Sequence, residues 1–226
     1  MRSLVLDLLL PPRCVGCGRV GVWLCERCAQ QLALSDRPIC PRCGDGWMGG
    51  GLCPRCRVTP LHLAPVRSAF LFEGVVRDAI HALKYQGAQS IALLLAPYMA
   101  EAWHRFAFAT DVLIPVPLYW ERERMRGYNQ SVLLGRALAV EIDRPLAENV
   151  LLRVRPTRAQ VGLEREARWR NVQGAFMCYD ECDPTGLHIT LIDDVVTTGA
   201  TLEACAVALL SRGAREVNAI TLAHAV

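Results

Sequence analysis

The stretch ITLIDDVVTTGATLEA, residues 189–204, decides how this chain is read. An apolar, strand-like run ends on two adjacent carboxylates, Asp193 and Asp194. Small residues follow, Thr197, Thr198, Gly199, Ala200 and Thr201, and then an apolar helical pattern begins. A strand that turns into a helix in this way exposes the unpaired N–H groups of the first helical turn and the positive end of the helix dipole. A simple cap needs one short polar side chain, and two acids with three threonines exceed that need. The N–H groups fit a phosphate monoester, and the acids fit ribose hydroxyls or a magnesium ion. A ribose 5-phosphate unit meets both demands in one ligand.

Outward from this stretch, strand and helix patterns alternate. VRSAFLFEG reads as a strand, VVRDAIHALKYQG as a helix with a glycine stop, and SIALLLAPYMAEAWHRF as an apolar helix with Pro97 inside it. DVLIPVP is a short buried strand, NQSVLLGRALAVEI a helix, and EVNAITLAHA a last strand after the helix ATLEACAVALLSRG. The alternation predicts an α/β fold, a parallel sheet covered by helices on both faces. Ligands of such sheets bind beyond the carboxyl ends of the strands, where Asp193 and Asp194 are expected to stand.

The first 56 residues have a different character. Eight of the eleven cysteines fall there as four Cys-x-x-Cys pairs: Cys14/Cys17, Cys25/Cys28, Cys40/Cys43 and Cys53/Cys56. The two-residue spacing lets both sulfurs of one turn face a single ion, and two turns complete a tetrahedral thiolate site. Two structural zinc ions are expected. Sequential grouping is the simplest, Cys14, Cys17, Cys25 and Cys28 on one ion and Cys40, Cys43, Cys53 and Cys56 on the other. Crossed grouping is compatible with the same spacing. The segment RVTPLHLAPV then reads as a linker.

The formal net charge of +3 does not by itself imply a nucleic-acid or membrane partner. No apolar run approaches the roughly 18 residues that would span a bilayer. MRSLVLDLLLPPRC does not read as a signal peptide, because Asp7 interrupts its apolar stretch and two prolines follow; a short packed helix and a cytoplasmic location are expected. Up to His62, eight arginines stand against four acids, but two thiolate-bound zinc ions would bring the loaded module to about zero. Lys84 is the only lysine among 25 basic residues. An ammonium retained in so arginine-rich a chain points to a place where a compact charge is wanted, and we expect it, with Tyr85, beside a diphosphate.

ITLIDDVVTTGAT resembles the phosphoribosyl pyrophosphate (PRPP) signature of type I phosphoribosyltransferases. Together with the cysteine pairs, LKYQG, PVPLYWERERMRGYNQ and RPTRAQVGLEREARWRNVQGAF, the whole chain resembles the ComF/GntX family, associated with DNA uptake and competence. The resemblance implies a double zinc-ribbon module over residues 1–60 and a phosphoribosyltransferase-like domain over 61–226. It places Asp193 and Asp194 on the ribose hydroxyls and Thr197, Thr198, Gly199, Ala200 and Thr201 around the 5-phosphate. The turn after LIPVP resembles the pyrophosphate loop, with Arg122, Arg124 and Arg126 suited to a diphosphate and Gly127 to Gln130 opening a helix. Residues 153–173, with Gln160, resemble the loop that closes over substrate. The implied catalytic set is Asp193, Asp194, Arg126 and Lys84, acting with Mg²⁺ bound to PRPP. The expected function is a ComF-like role in DNA uptake, with phosphoribosyl transfer to an acceptor that has no signature in the sequence. The alternatives are a PRPP sensor without turnover, or an adaptor that engages single-stranded DNA and competence proteins through the zinc module, Trp23, Trp47 and the basic loops. The oligomeric state has no signature either.

Overall fold

The computed structural model describes residues 11–32, 34–59, 61–157 and 165–225. The expected N-terminal helix and Gln160 lie outside these residues. In chain order the elements are α1 (Glu26–Ala29), α2 (Pro54–Val58), β1 (Val66–Leu71), α3 (Gly74–Tyr85), α4 (Ile91–Phe106), β2 (Val112–Pro115) and α5 (Trp120–Arg126). They continue as α6 (Gln130–Ile142), β3 (Leu151–Arg153), α7 (Arg165–Val172), β4 (Phe176–Cys178), β5 (His188–Val196), α8 (Ala200–Leu210) and β6 (Glu216–His224).

β1, β6, β5 and β2 pair in that order as a parallel sheet. Alternate residues of β5 serve opposite cores. Ile192 packs with Phe70, Leu83, Leu95, Met99, Leu134 and Leu138 under α3, α4 and α6. Ile189 and Leu191 pack on the other face with Leu202, Leu209 and Val217, beneath α8. A strand buried on both faces reads as a continuous apolar run, the pattern seen at residues 189–192.

The structure departs from the sequence expectation in three places. β5 does not end at the aspartates but runs to Val196, because β6 continues to pair with it, Asp193 with Thr221 and Val196 with His224. ERERMR, expected as a charged turn, lies within the helix α5. Glu121 and Glu123 stand in its first turn and Arg124 and Arg126 in its last, the order that favours the helix dipole, and Gly127 ends it with φ +83°. The antiparallel pair β3–β4, flanking the arginine-rich stretch, had no signal, since three-residue strands carry too little periodicity.

The cysteine-rich module lies against the sheet. Val66 N–H donates to the Arg42 carbonyl at 2.8 Å, and Arg67 donates to the Pro41 carbonyl at 2.8 Å. A Cβ on Gly44 would come within 2.5 Å of the Val66 carbonyl oxygen, so the turn between Cys43 and β1 has no room for a side chain. The linker continues the contact, with Ala64 N–H donating to the Val217 carbonyl and Ala219 N–H to that of Pro65.

Candidate functional site

The carboxyl end of β5 brings the two acids against α3 and α6. Asp194 is 3% exposed, and its Oδ2 faces Lys84 Nζ at 2.5 Å while Oδ1 accepts from Val195 N–H at 2.8 Å. Asp193 Oδ1 accepts from Ser131 Oγ and from Asp194 N–H, both at 2.9 Å. Burial, reinforced by the charge of Asp194, pushes Asp193 up to about 7 against the pull of Lys84. Burial by itself would lower the Lys84 ammonium, but the charge and hydrogen bond of Asp194, with a smaller contribution from Asp193, hold it above the ordinary lysine value.

Each partner is placed by local sequence. Lys84 sits in the last turn of α3, and the Tyr128 hydroxyl donates to the neighbouring Leu83 carbonyl, fastening that helix end to the start of α6. Asn129 caps α6, accepting from Ser131 N–H at 2.9 Å while its amide donates to the Val116 carbonyl at 2.9 Å. The cap thus orients Ser131 toward Asp193. Beside the acids, Lys84, Tyr85, Gly87, Arg122, Arg126 and Tyr128 line a cavity of about 480 Å³. Arg126 lies 5.5 Å from the Tyr85 ring centre and donates to Gln130 Oε1. Arg122 donates to the Thr157 carbonyl at 3.0 Å. Arg124 does not join them: it is exposed and lies over Trp120 at 5.6 Å. Lys84 is thereby the link between the acid pair and a cationic cavity.

Gly199, at φ +77°, makes the left-handed turn that starts α8. Thr198 is buried, with its hydroxyl accepting from Ala200 N–H at 3.4 Å, and Thr197 and Thr201 are half-buried at either side. This turn sets Thr197, Thr198 and Thr201 around the N-terminal end of α8, two residues beyond an acid pair that can accept from hydroxyls. Ser131 and Arg55, whose Nη1 donates to the Thr198 carbonyl at 3.1 Å, belong to the surroundings of this site although neither carries a signal in the sequence. Ser131 reads as an ordinary helix-start residue, and Arg55 is 143 positions away from its partner.

The eight paired cysteines group in chain order. The sulfurs of Cys14, Cys17, Cys25 and Cys28 lie within 4.8 Å of one another, as do those of Cys40, Cys43, Cys53 and Cys56. Cys17 and Cys25 are 3.6 Å apart at sulfur, and Cys43 and Cys53 are 3.8 Å apart. Zinc–sulfur bonds of about 2.3 Å require tetrahedron edges of about 3.8 Å, so both groups fit the ion. Backbone N–H groups point at the sulfurs, Cys25 to Cys14 at 3.3 Å and Cys53 to Cys40 at 3.4 Å. Burial would raise these two thiols, but such N–H bonds outweigh it and lower both to about 6. Each centre therefore holds a ready thiolate at neutral pH.

Residues 5–57 match the double zinc ribbon domain family. The fold and site define a class of protein in which a double zinc ribbon is joined to a four-stranded parallel sheet flanked by helices. The chain is 33% identical over 202 residues to the DNA utilization protein YhgH of Salmonella typhimurium, covering 86% of this chain and 87% of that protein. It is 30% identical over 207 residues to the competence protein ComFC of Bacillus subtilis, covering 88% and 83%. It belongs to the ComF/GntX family. A solved structure similar over part of the chain is the glutamine PRPP amidotransferase of B. subtilis, with a TM-score of 0.40 and 20% identity over 58% of this chain and 26% of that one.

Proposed function

We propose that the cleft at the end of β5 binds PRPP together with Mg²⁺. The observation that carries this reading is the continuity of three chemistries: an anion recess at Thr197–Thr201, a fixed acid pair, and a cationic cavity joined to the pair by Lys84. One ligand with a phosphate at one end, hydroxyls in the middle and a diphosphate at the other would engage all three. Asp193 and Asp194 accept from the ribose hydroxyls, the turn before α8 holds the 5-phosphate, and Lys84, Arg122 and Arg126 face the diphosphate. Oxygen-only donors and phosphates beside a carboxylate pair suit a hard divalent cation, and Mg²⁺ when bound neutralises charge on the diphosphate. Ser131 and Lys84 keep both carboxylates oriented before the ligand arrives. Residues 1–60 form the ribbon module and 61–226 the ligand-binding domain. Phosphoribosyl transfer needs an acceptor nucleophile in addition, and pyrophosphate release across candidate acceptors reads it out.

Calorimetry is expected to show PRPP binding that depends on Mg²⁺. Asp193→Asn should weaken it through the ribose, and Thr198→Val through the 5-phosphate. Loss of one charge-assisted hydrogen bond costs about 1.5–3 kcal/mol, roughly ten- to a hundredfold in affinity. A folded wild-type protein that binds no PRPP would remove the ligand assignment.

The similarity to proteins named for competence and DNA utilization supports a role in the handling of DNA. No helix among the described residues is long and apolar enough to cross a membrane. Residues 121–170 hold eleven arginines against seven acids, an excess able to meet a single strand, and Arg122 and Arg126 of the PRPP cavity are among them. A labelled oligonucleotide is therefore expected to be displaced by PRPP in fluorescence anisotropy, with a shallow salt slope of about −0.7 per phosphate contact. Binding undisturbed by PRPP would move the strand to the ribbon module.

A further inference from the structure

Arg55 lies between Cys53 and Cys56, on α2, inside the second cysteine centre. Its Nη1 reaches the Thr198 carbonyl at 3.1 Å, a side-chain bond from the ribbon module to the turn before α8. The Thr198 carbonyl and the Gly199 N–H are two ends of the same peptide. A cation on the carbonyl polarises that peptide and makes its N–H a stronger donor to an anion. It also restrains the peptide's orientation at the point where Gly199 takes φ +77°. The contact is not a surface accident: Arg55 is half-buried, and its Nε is buried with no hydrogen-bond partner.

A second set of contacts reaches the same helix start from the linker that leaves this centre. Glu203, 6% exposed in the first turn of α8, accepts from His62 N–H at 2.8 Å and Leu63 N–H at 3.0 Å, and pairs with His62 Nδ1 at 2.7 Å. Trp169 packs against the apolar surroundings of the second centre as well as against the core under α8. The turn is thus braced by the ribbon in front and the linker behind.

We propose that Arg55 is a positioning residue for the 5-phosphate turn, and that the second cysteine centre and this turn form one coupled unit. The proposal rests on the PRPP reading above. Arg55 does not touch the ligand; it sets the peptide that does. By reciprocity, a ligand on the turn should tighten the second centre's hold on its metal as much as the centre tightens the ligand.

The test uses the full-length zinc-loaded protein, with ribose 5-phosphate, PRPP with Mg²⁺, and inorganic pyrophosphate as separate probes in calorimetry. Arg55→Met is expected to weaken ribose 5-phosphate and PRPP about tenfold, the size of one net hydrogen bond, and to leave pyrophosphate unchanged. Elemental analysis should still find wild-type zinc, and Arg55→Lys should recover most of the affinity. A merely structural defect would weaken all three probes alike. In a second measurement, saturating ribose 5-phosphate should slow the release of one of the wild type's two zinc ions to a chelator. That arm decides the matter if Arg55→Met loses its metal. Equal binding of ribose 5-phosphate by zinc-loaded Arg55→Met and wild type would overturn the proposal, as would zinc release that ignores the ligand. If the wild type binds neither PRPP nor ribose 5-phosphate, the reading of the cleft falls first and this inference with it.

Discussion

Removal of zinc is expected to unfold the N-terminal module while the parallel sheet stays folded. The reason lies in what the module buries. Around the second centre the buried residues are Cys40, Cys43, Cys53, Cys56 and Leu61, with Trp47, Leu52 and Trp169 partly covered beside them. Around the first they are Cys14, Cys25 and Cys28, with Leu24 and Val75. A fully buried aliphatic side chain contributes about 1.5–3 kcal/mol, and the module has few of them. A structural zinc ion contributes about 10–16 kcal/mol in small zinc-binding peptides at neutral pH. The metal therefore dominates. Elemental analysis should find two zinc ions per chain, and Cys14→Ser and Cys40→Ser should each cost a different one. After chelation, limited proteolysis should cut before the linker at residues 57–66, and thiol titration should count the paired cysteines as accessible. The domain from β1 to β6 has its own cores above and below the sheet and should survive as a resistant fragment. Metal-free protein that stays protease-resistant over residues 11–56 would refute this account.

Loss of the lysine charge comes next in expected size. In Lys84→Met, the buried Asp194 and the half-buried Asp193 beside it remain without their counter-ion, and breaking a buried pair by removing one partner costs about 3–5 kcal/mol. Urea denaturation at pH 8 should show a loss of that order. The pH dependence carries a signature. In the wild type, Asp193 is raised to about 7, above its value near 4 in an unfolded chain, so the folded state holds more protons between those limits. Its contribution to stability is then fully present below about pH 4 and falls as the pH rises toward 7, the reverse of a salt-bridged surface aspartate. Lys84, raised above its unfolded value, keeps its contribution until the pH passes the lysine range. In Lys84→Met both acids lose their cation, so the decline with pH should steepen, and the deficit against wild type should narrow near pH 4. Equal stability of the two proteins at pH 8 would show that the ion pair does not act as described.

The parts of the protein that the sequence made legible are those whose chemistry is carried by neighbouring residues. A Cys-x-x-Cys turn aims two sulfurs at one point whatever surrounds it, and TTGAT at the mouth of a helix presents its N–H groups through backbone geometry alone. The alternation of apolar strands and helices implied the parallel sheet for the same reason, since periodicity is a local property. Residues distant in the chain came together only in the tertiary structure. The spacing of the cysteines allowed two groupings, and the folded module brings the sulfurs together in chain order. Arg122, Arg124 and Arg126 were all expected to face a diphosphate, but α5 turns Arg124 onto Trp120 and leaves the other two lining the cavity with Lys84. Lys84 stood out by composition, but its bond to Asp194 spans three intervening strands and four helices. Ser131 and Arg55 had no signal at all, because a hydrogen bond between residues 62 or 143 positions apart leaves no local pattern; only the closing of α6 and the second ribbon over the end of β5 sets those distances.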